Sequence, residues 1–291
     1  MIIVIVGPTC SAKSETAYKL APLINAEIVN GDAFQCYKEL DIGVAKPPKE
    51  YLEKIPHHLY SFVSPSEEYS IATYQKNLRT TIDEILSRNK SVIIVGGSGL
   101  YIRSALYDYS FNEETSKVDM SKYEKMSNEE LHKILESIDS EDAKKIHPNN
   151  RKRVLRSIEI YLASGENKSS IISKQEHKPI YDVKFFTRDI AREVLNERIN
   201  ARVDKMMKDG LFDEVKKLYN KYPKSSQALQ AIGYKELIEV IDGNLSLDEG
   251  IELIKKNTRN YAKRQMTFIR HQFDVTFYKD DNSLMEIIKN G

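Results

Sequence analysis

The 291-residue chain is 41% hydrophobic and 30% charged, enough apolar surface for a real core and too much for a disordered chain. Its 44 Lys+Arg balance 43 Asp+Glu, so the net charge of +1 exerts no overall pull on nucleic acid, and any polyanion must be held by local clusters. Two cysteines, no apolar run near the roughly 20 residues of a membrane helix, and an opening stretch (Met1 to Val6) too short for a signal core point to a soluble cytoplasmic protein without disulfides.

Ile2 to Val6 is a β-branched run ending at Gly7-Pro8, which reads as a buried strand. Ala17, Leu20, Ala21 and Ile24 then keep helical spacing, with Pro22 expected to kink or end that helix. Glu27 to Val29 reads as a second strand and Ser91 to Val95 as a third, closing at Gly96-Gly97-Ser98-Gly99 before another helical stretch. Strand, glycine loop and helix in repetition predict a parallel α/β sheet with its loops at the strand C-termini. Acidic and polar residues dominate from Asn112 to Asp142, and helical patterns run through Leu131, Ile134, Leu135 and Ile138 and from Arg151 to Ala163. This predicts a largely helical insertion over 111–180 within a core of 1–110 and 181–291. Val183 to Phe186 reads as a strand, followed by helical stretches around 191–221, 227–242 and 247–270 and a last strand at Val275 to Tyr278.

Gly7-Pro8-Thr9-Cys10-Ser11-Ala12-Lys13-Ser14 matches the phosphate-loop pattern G-x-x-x-x-G-K-[ST] except for Ala12 in place of the second glycine. Loop amides, a helix N-terminus and Lys13 suit an anion, and Ser14 can offer its hydroxyl to magnesium. The methyl of Ala12 is tolerable if its φ is negative or if space exists beside the phosphates. Asp32, at the second strand end, suits a magnesium ligand, a proton acceptor or a helix cap. Gln35 suits two hydrogen bonds to an adenine edge, or solvent. Arg198 and Arg202, four apart, share a helix face and either clamp a diphosphate or pair with nearby acids. Lys144 to Arg156 and Lys255 to Gln272 each hold six basic residues and no acid. Each is a solvated helix face or part of a stripe for an RNA backbone. Neither cysteine has metal-ligand spacing, and no structural zinc is expected.

In order along nearly the whole chain, these motifs resemble the tRNA dimethylallyltransferase (isopentenyl-tRNA transferase) family. The resemblance covers the phosphate loop, Asp32-Ala33-Phe34-Gln35-Cys36-Tyr37, Asp41-Ile42-Gly43-Val44-Ala45-Lys46-Pro47, Pro56-His57-His58-Leu59, and Gly96 to Tyr101. It continues through Ile146-His147-Pro148-Asn149, Arg198-Ile199 with Arg202, Ala231 to Glu236, and Thr258-Arg259 with Ala262-Lys263-Arg264-Gln265. It implies a P-loop core similar to nucleotide kinases, with a helical insertion that grips a tRNA anticodon stem-loop. The implied reaction moves a dimethylallyl group from its diphosphate to N6 of the adenine 3′ of the anticodon, in tRNAs reading codons that begin with U, with Mg2+ required. A monomer is expected. By position, Asp32 is the implied base, with Thr9 and Arg198 catalytic beside it. Gly7 to Ser14 and Arg202 hold the diphosphate or nucleotide, with Ser14 toward the metal. The implied tRNA contacts are Asp32, Ala33, Phe34, Gln35, Ser98, Lys152, Arg153, Val154, Leu155 and Arg156. Ala12, Ala33 and Ser98 depart from the family's usual glycine, serine and threonine; since Asp32, Lys13 and Ser14 persist, an active enzyme is expected. From the first loop alone, a P-loop kinase or a non-catalytic RNA-binding NTPase would also be possible; the glycine-rich third strand end speaks against the kinase.

Overall fold

Six strands, β1 (Ile2–Val6), β2 (Ala26–Asn30), β3 (His57–His58), β4 (Ser91–Gly96), β5 (Val183–Arg188) and β6 (Val275–Tyr278), form a sheet in the order β3-β2-β4-β1-β5-β6. The computed structural model describes residues 1–111 and 118–290; Asn112 to Lys117, where the predicted acidic stretch begins, lie outside the described residues. Every strand pairing is parallel. Parallel strands are covered on both faces, and β1 is accordingly apolar and buried at all five positions. Ile3, Ile5, Ile28, Ile93 and Val95 pack with Ala17 and Leu20, each large side chain contributing roughly 1.5–3 kcal/mol by burial.

Helix α1 (Lys13–Leu20) ends where Pro22 enters a 3-10 turn, Ala21–Ile24. After α2 (Lys49–Lys54), helix α3 (Ile71–Ser87) is one that the strand-and-loop reading passes over. Ser70 caps it by accepting from Thr73 N, and Tyr74, Leu78, Ile82 and Ile85 form its buried stripe. Helix α4 (Gly99–Leu106) follows β4.

The chain divides into two compact units, Met1–Leu106 with Pro179–Gly291, and Tyr107–Lys178. The second unit holds α5 (Ser121–Glu124), α6 (Asn128–Ile138), α7 (Ser140–Lys145), α8 (Arg151–Ser164) and α9 (Lys168–Ser173). Its core joins Leu131, Leu135, Ala143, Ile146, Val154 and Ile158. Buried Asp142 accepts from Ser157 Oγ and pairs with Lys168 at 3.0 Å.

In the first unit, the predicted helical stretch 191–221 splits into α10 (Arg192–Lys208) and α11 (Leu211–Lys221) because Gly210 turns left-handed at φ 99°. A 3-10 turn at Gln227–Gln230 and α12 (Tyr234–Ile241) follow, then the 26-residue α13 (Leu247–Gln272) and α14 (Asp281–Asn290). Among the described residues no helix is long and apolar enough to cross a membrane.

Candidate active site at the C-terminal edge of the sheet

Ligands of open parallel sheets bind outside the strand C-termini, and here a cavity of about 410 Å3 opens between the turns after β1, β2 and β4 and helices α10 and α13. In the β1–α1 turn, Cys10 (φ 64°) and Ala12 (φ 63°) are both left-handed, an alternation that makes successive amides converge as an anion nest. Ala12 therefore keeps a glycine-like backbone, and a negative φ is not what accommodates it. Ala12 lines the open cavity, and the conformation costs about 1–2 kcal/mol for an alanine. Gly7 and Pro8 do not line the cavity; they shape the loop. Pro8 O accepts from Ser11 Oγ at 2.8 Å and from Lys13 Nζ at 2.6 Å, and a Cβ on Gly7 would lie 2.9 Å from Ser11 Oγ. Burial and the neighbouring Arg202 charge lower the Lys13 pKa to about 8, with Asp32 and Cys10 opposing.

Arg202, from α10, reaches this loop: one guanidinium nitrogen lies 3.2 Å from Thr9 Oγ1 and 3.5 Å from Cys10 Sγ. Arg198 does not join it. One turn earlier on α10, it is exposed and off the cavity wall, because four residues exceed one helical turn by about 40°. Gln265, on α13, is the residue that sequence reasoning left without a role. Buried, it accepts from Thr9 N at 3.0 Å and donates to Gly97 O at 2.9 Å, tying the first turn to the third. Its only signal in the sequence is the run Lys263-Arg264-Gln265, where a neutral amide interrupts the basic residues. Tyr261 lines the same wall, its hydroxyl pKa pushed up to about 12 by burial and by nearby Asp32.

Asp32 sits after β2, and buried Asn30 pins it from both sides: Asp32 N donates to Asn30 Oδ1 at 2.8 Å, and Asn30 Nδ2 donates to Asp32 O at 2.9 Å. Asp32 Oδ1 accepts from Phe34 N at 2.9 Å and Gln35 N at 3.4 Å, so the capping role exists, though for a turn and not a helix. Oδ2 accepts no hydrogen bond among the described residues. Burial raises the Asp32 pKa above the usual carboxylate range, against the Phe34 amide, Lys13, the Gln35 amide and Arg202. A desolvated carboxylate with one committed and one open oxygen is suited to accept a proton from a bound ligand.

Four residues expected to contact the base or the tRNA are already engaged or turned inward in the structure. Gln35 lines the cavity, but its Nε2 donates to Val44 O and Ala45 O, both at 3.0 Å, so the two-point adenine contact is not available. Ser98 is buried and its Oγ accepts from Ala33 N at 2.9 Å; it shapes the Asp32 turn and is no surface contact. Val154 is wholly buried in the insertion core and Leu155 packs against that core, since they fall on the inner side of α8. Phe34 lines the cavity, Ala33 is half-buried beside it, and Lys152, Arg153 and Arg156 are exposed, Arg156 pairing with Glu159.

The basic runs are partly structural. Arg151 donates to the carbonyls of Met126 and Glu124, Lys255 pairs with Asp204 and Glu252, and Arg259 donates to Asn200 Oδ1. Lys263, Arg264 and Arg270 are exposed.

Fold and site together define an α/β enzyme of phosphate-loop fold in which Lys13, Arg202 and Asp32 share one cavity. The family model described as IPP transferase matches residues 35–272, and the chain belongs to that family. It is 44% identical over 282 residues to the tRNA dimethylallyltransferase of Bacillus licheniformis, covering 95% of this chain and 90% of the relative. Against the same-named protein of Staphylococcus haemolyticus the identity is 41%, with 99% and 89% covered. The crystal structure of the tRNA delta(2)-isopentenylpyrophosphate transferase of Staphylococcus epidermidis superimposes with a TM-score of 0.74 at 41% identity, over 99% of this chain and 97% of that one. A eukaryotic dimethylallyltransferase, captured in crystallographic snapshots acting on tRNA, gives 0.84 at 29% identity over 99% and 77%.

Proposed function

We propose that this tRNA prenyltransferase moves a dimethylallyl group from dimethylallyl diphosphate to N6 of the adenine 3′ of the anticodon, in tRNAs reading codons that begin with U. The observation carrying this reading is the meeting of opposites in one cavity: Lys13 and Arg202 on one side, and Asp32, its proton affinity raised by burial, on the other. The C1–O bond of the donor breaks and its electron pair leaves with the diphosphate, while C1 bonds to N6. Loop amides, Lys13 and Arg202 stabilise the charge that develops on the leaving group, and Gln265 keeps Thr9 in place beside it. N6 of adenine is a weak nucleophile, and Asp32 Oδ2 takes its proton as the C–N bond forms. The base reaches the cavity by leaving its stack.

Ser14 is the residue that would hold Mg2+: it lines the cavity at the start of α1, beside Lys13. One hydroxyl with diphosphate oxygens and water suits an ion that retains much of its hydration. When bound, the ion shares the diphosphate's negative charge. Exposed Lys152, Arg153 and Arg156 of the insertion contact phosphates of the anticodon stem-loop, and the enzyme acts as a cytoplasmic monomer. Nucleoside mass spectrometry of tRNA incubated with dimethylallyl diphosphate and the protein tests the reaction. The wild type adds one prenyl mass to adenine; Asp32→Asn, which can still accept the two turn hydrogen bonds, slows this by about 100-fold or more. No mass gain with the wild type would refute the reaction, and full rate in the variant would refute the assigned base.

A further inference from the structure

One wall of the cavity, formed by Gly43, Val44 and Ala45, belongs to neither helix nor strand. The segment is closed on itself, Ala45 N donating to Ile42 O at 3.0 Å and Lys46 N to Asp41 O at 3.1 Å. From outside, Lys46 Nζ ties its end to Tyr37 O at 2.7 Å, and one carboxylate holds its backbone amides. The amides of Asp41, Ile42 and Gly43 donate to Glu214 of α11 at 3.1, 2.9 and 3.2 Å, and buried Tyr234 of α12 donates its hydroxyl to the same group at 2.6 Å. The Tyr234 ring lies so close to Gly43 that a Cβ there would be 2.4 Å from it. From inside, the carbonyls of Val44 and Ala45 take both protons of the Gln35 amide nitrogen.

That last contact fixes more than a position. Two carbonyls facing the carboxamide require its NH2 end, so the oxygen is what Gln35 can offer to a base. An acceptor welcomes the exocyclic amine at C6 of adenine and repels the carbonyl at C6 of guanine. We infer that Glu214, which does not itself line the cavity, is a positioning residue for acceptor-base recognition, holding segment 41–46 so that Gln35 presents its oxygen. This rests on the proposal above that the unstacked adenine enters the cavity at Asp32, whose Oδ1 accepts from Gln35 N. Charge-assisted hydrogen bonds to three consecutive amides make the carboxylate the strongest single restraint on that segment.

Initial rates with an anticodon stem-loop RNA as acceptor test it, using Glu214→Gln, Tyr234→Phe, Gln35→Ala and the Glu214→Gln/Gln35→Ala double variant. Glu214→Gln is expected to lose about tenfold or more in kcat/KM for the RNA, with KM for dimethylallyl diphosphate within about twofold of wild type. Tyr234→Phe, which keeps the ring against Gly43, loses less in the same parameter. The double variant is expected to be no worse than Gln35→Ala alone, as for residues acting through one group. Additive losses, or equal losses for donor and acceptor, overturn the inference. If Glu214→Gln does not fold, Tyr234→Phe combined with Gln35→Ala must show the same non-additivity. Unchanged RNA kinetics in Gln35→Ala would overturn the base-side reading itself, whereas an impaired Gln35→Ala beside an unimpaired Glu214→Gln would overturn the Glu214 role alone.

Discussion

Lys13 offers a direct test of how the phosphate loop handles charge. In the protein alone its pKa is about 8 against an ordinary 10.5, burial being the first cause and Arg202 the second. A diphosphate in the loop supplies the missing negative charge and returns the ammonium to its ordinary range or above. The difference corresponds to about 3 kcal/mol between binding to the charged and the neutral lysine. Below pH 8 the lysine is already protonated and affinity changes little. Above it, each binding event must take up a proton, so dimethylallyl diphosphate binds about tenfold more weakly at pH 9 than at pH 7. Calorimetric titration in two buffers of different ionisation enthalpy reads both quantities, and uptake approaches one proton near pH 9. Lys13→Met abolishes the uptake. Folding stability runs the other way: because folding lowers this pKa, the unfolded chain binds the proton more tightly, and the Lys13 contribution to stability rises with pH between about 8 and 10.5. A dissociation constant that is flat from pH 7 to 9, with no buffer dependence, would refute the assignment.

Further outcomes follow from the same geometry. Arg202→Ala lowers prenyl transfer by about 100-fold or more in kcat/KM, as loss of one charge stabiliser does; Arg198→Ala, exposed and off the cavity, changes it by less than about threefold, and steady-state kinetics distinguish the two. Ala12→Gly relieves a left-handed alanine and raises unfolding free energy by about 0.5–1 kcal/mol after glycine's greater unfolded entropy is counted, seen as a higher urea midpoint. Gly96→Ala lowers that midpoint sharply, because the added Cβ would lie 2.0 Å from the Gly31 carbonyl oxygen, a backbone atom that cannot step aside. Glu27, inside the sheet, is pushed up by burial, yet Lys90, His58 and Arg88 outweigh this and bring its pKa to about 2. Its contribution is present above about pH 4.5 and lost as pH falls toward 2; Glu27→Gln costs about 1–3 kcal/mol at pH 7, its partners being partly solvated, and flattens that acid limb in urea melts taken from pH 7 to 3.

Much of the site was legible because its chemistry is local. A β-branched run, a glycine-rich turn and a helix place Lys13, Ser14 and Asp32 at strand ends without knowledge of any distant contact, and β1 and β4 follow from nearly unbroken apolar runs, β2 and β5 from shorter ones. Two kinds of side chain were not placed by the sequence. Val154 and Leu155 stand among basic residues in sequence, but a helix turns them inward every third or fourth position. Ser98 and Gln35 have side chains typical of recognition, and whether such groups are free or already engaged depends on how the chain folds back: Ala33 meets Ser98 across 65 residues, and an irregular loop brings Val44 and Ala45 to Gln35.

Arg198 and Arg202 carry this lesson furthest, for residue type and spacing made them equivalent, and only the packing of α10 put one at the phosphate loop and left the other exposed. What the amino-acid order determined was which short segments form the nest and which carboxylate stands beside it, since strand, turn and helix signals act over a few residues. What the tertiary structure alone decided was how those segments are held: Gln265 joining two turns across 256 residues from Thr9, and Glu214 securing segment 41–46. Hydrogen bonds of that kind leave no periodicity to read, because either partner's identity is meaningful only when the fold has brought the other within about 3 Å.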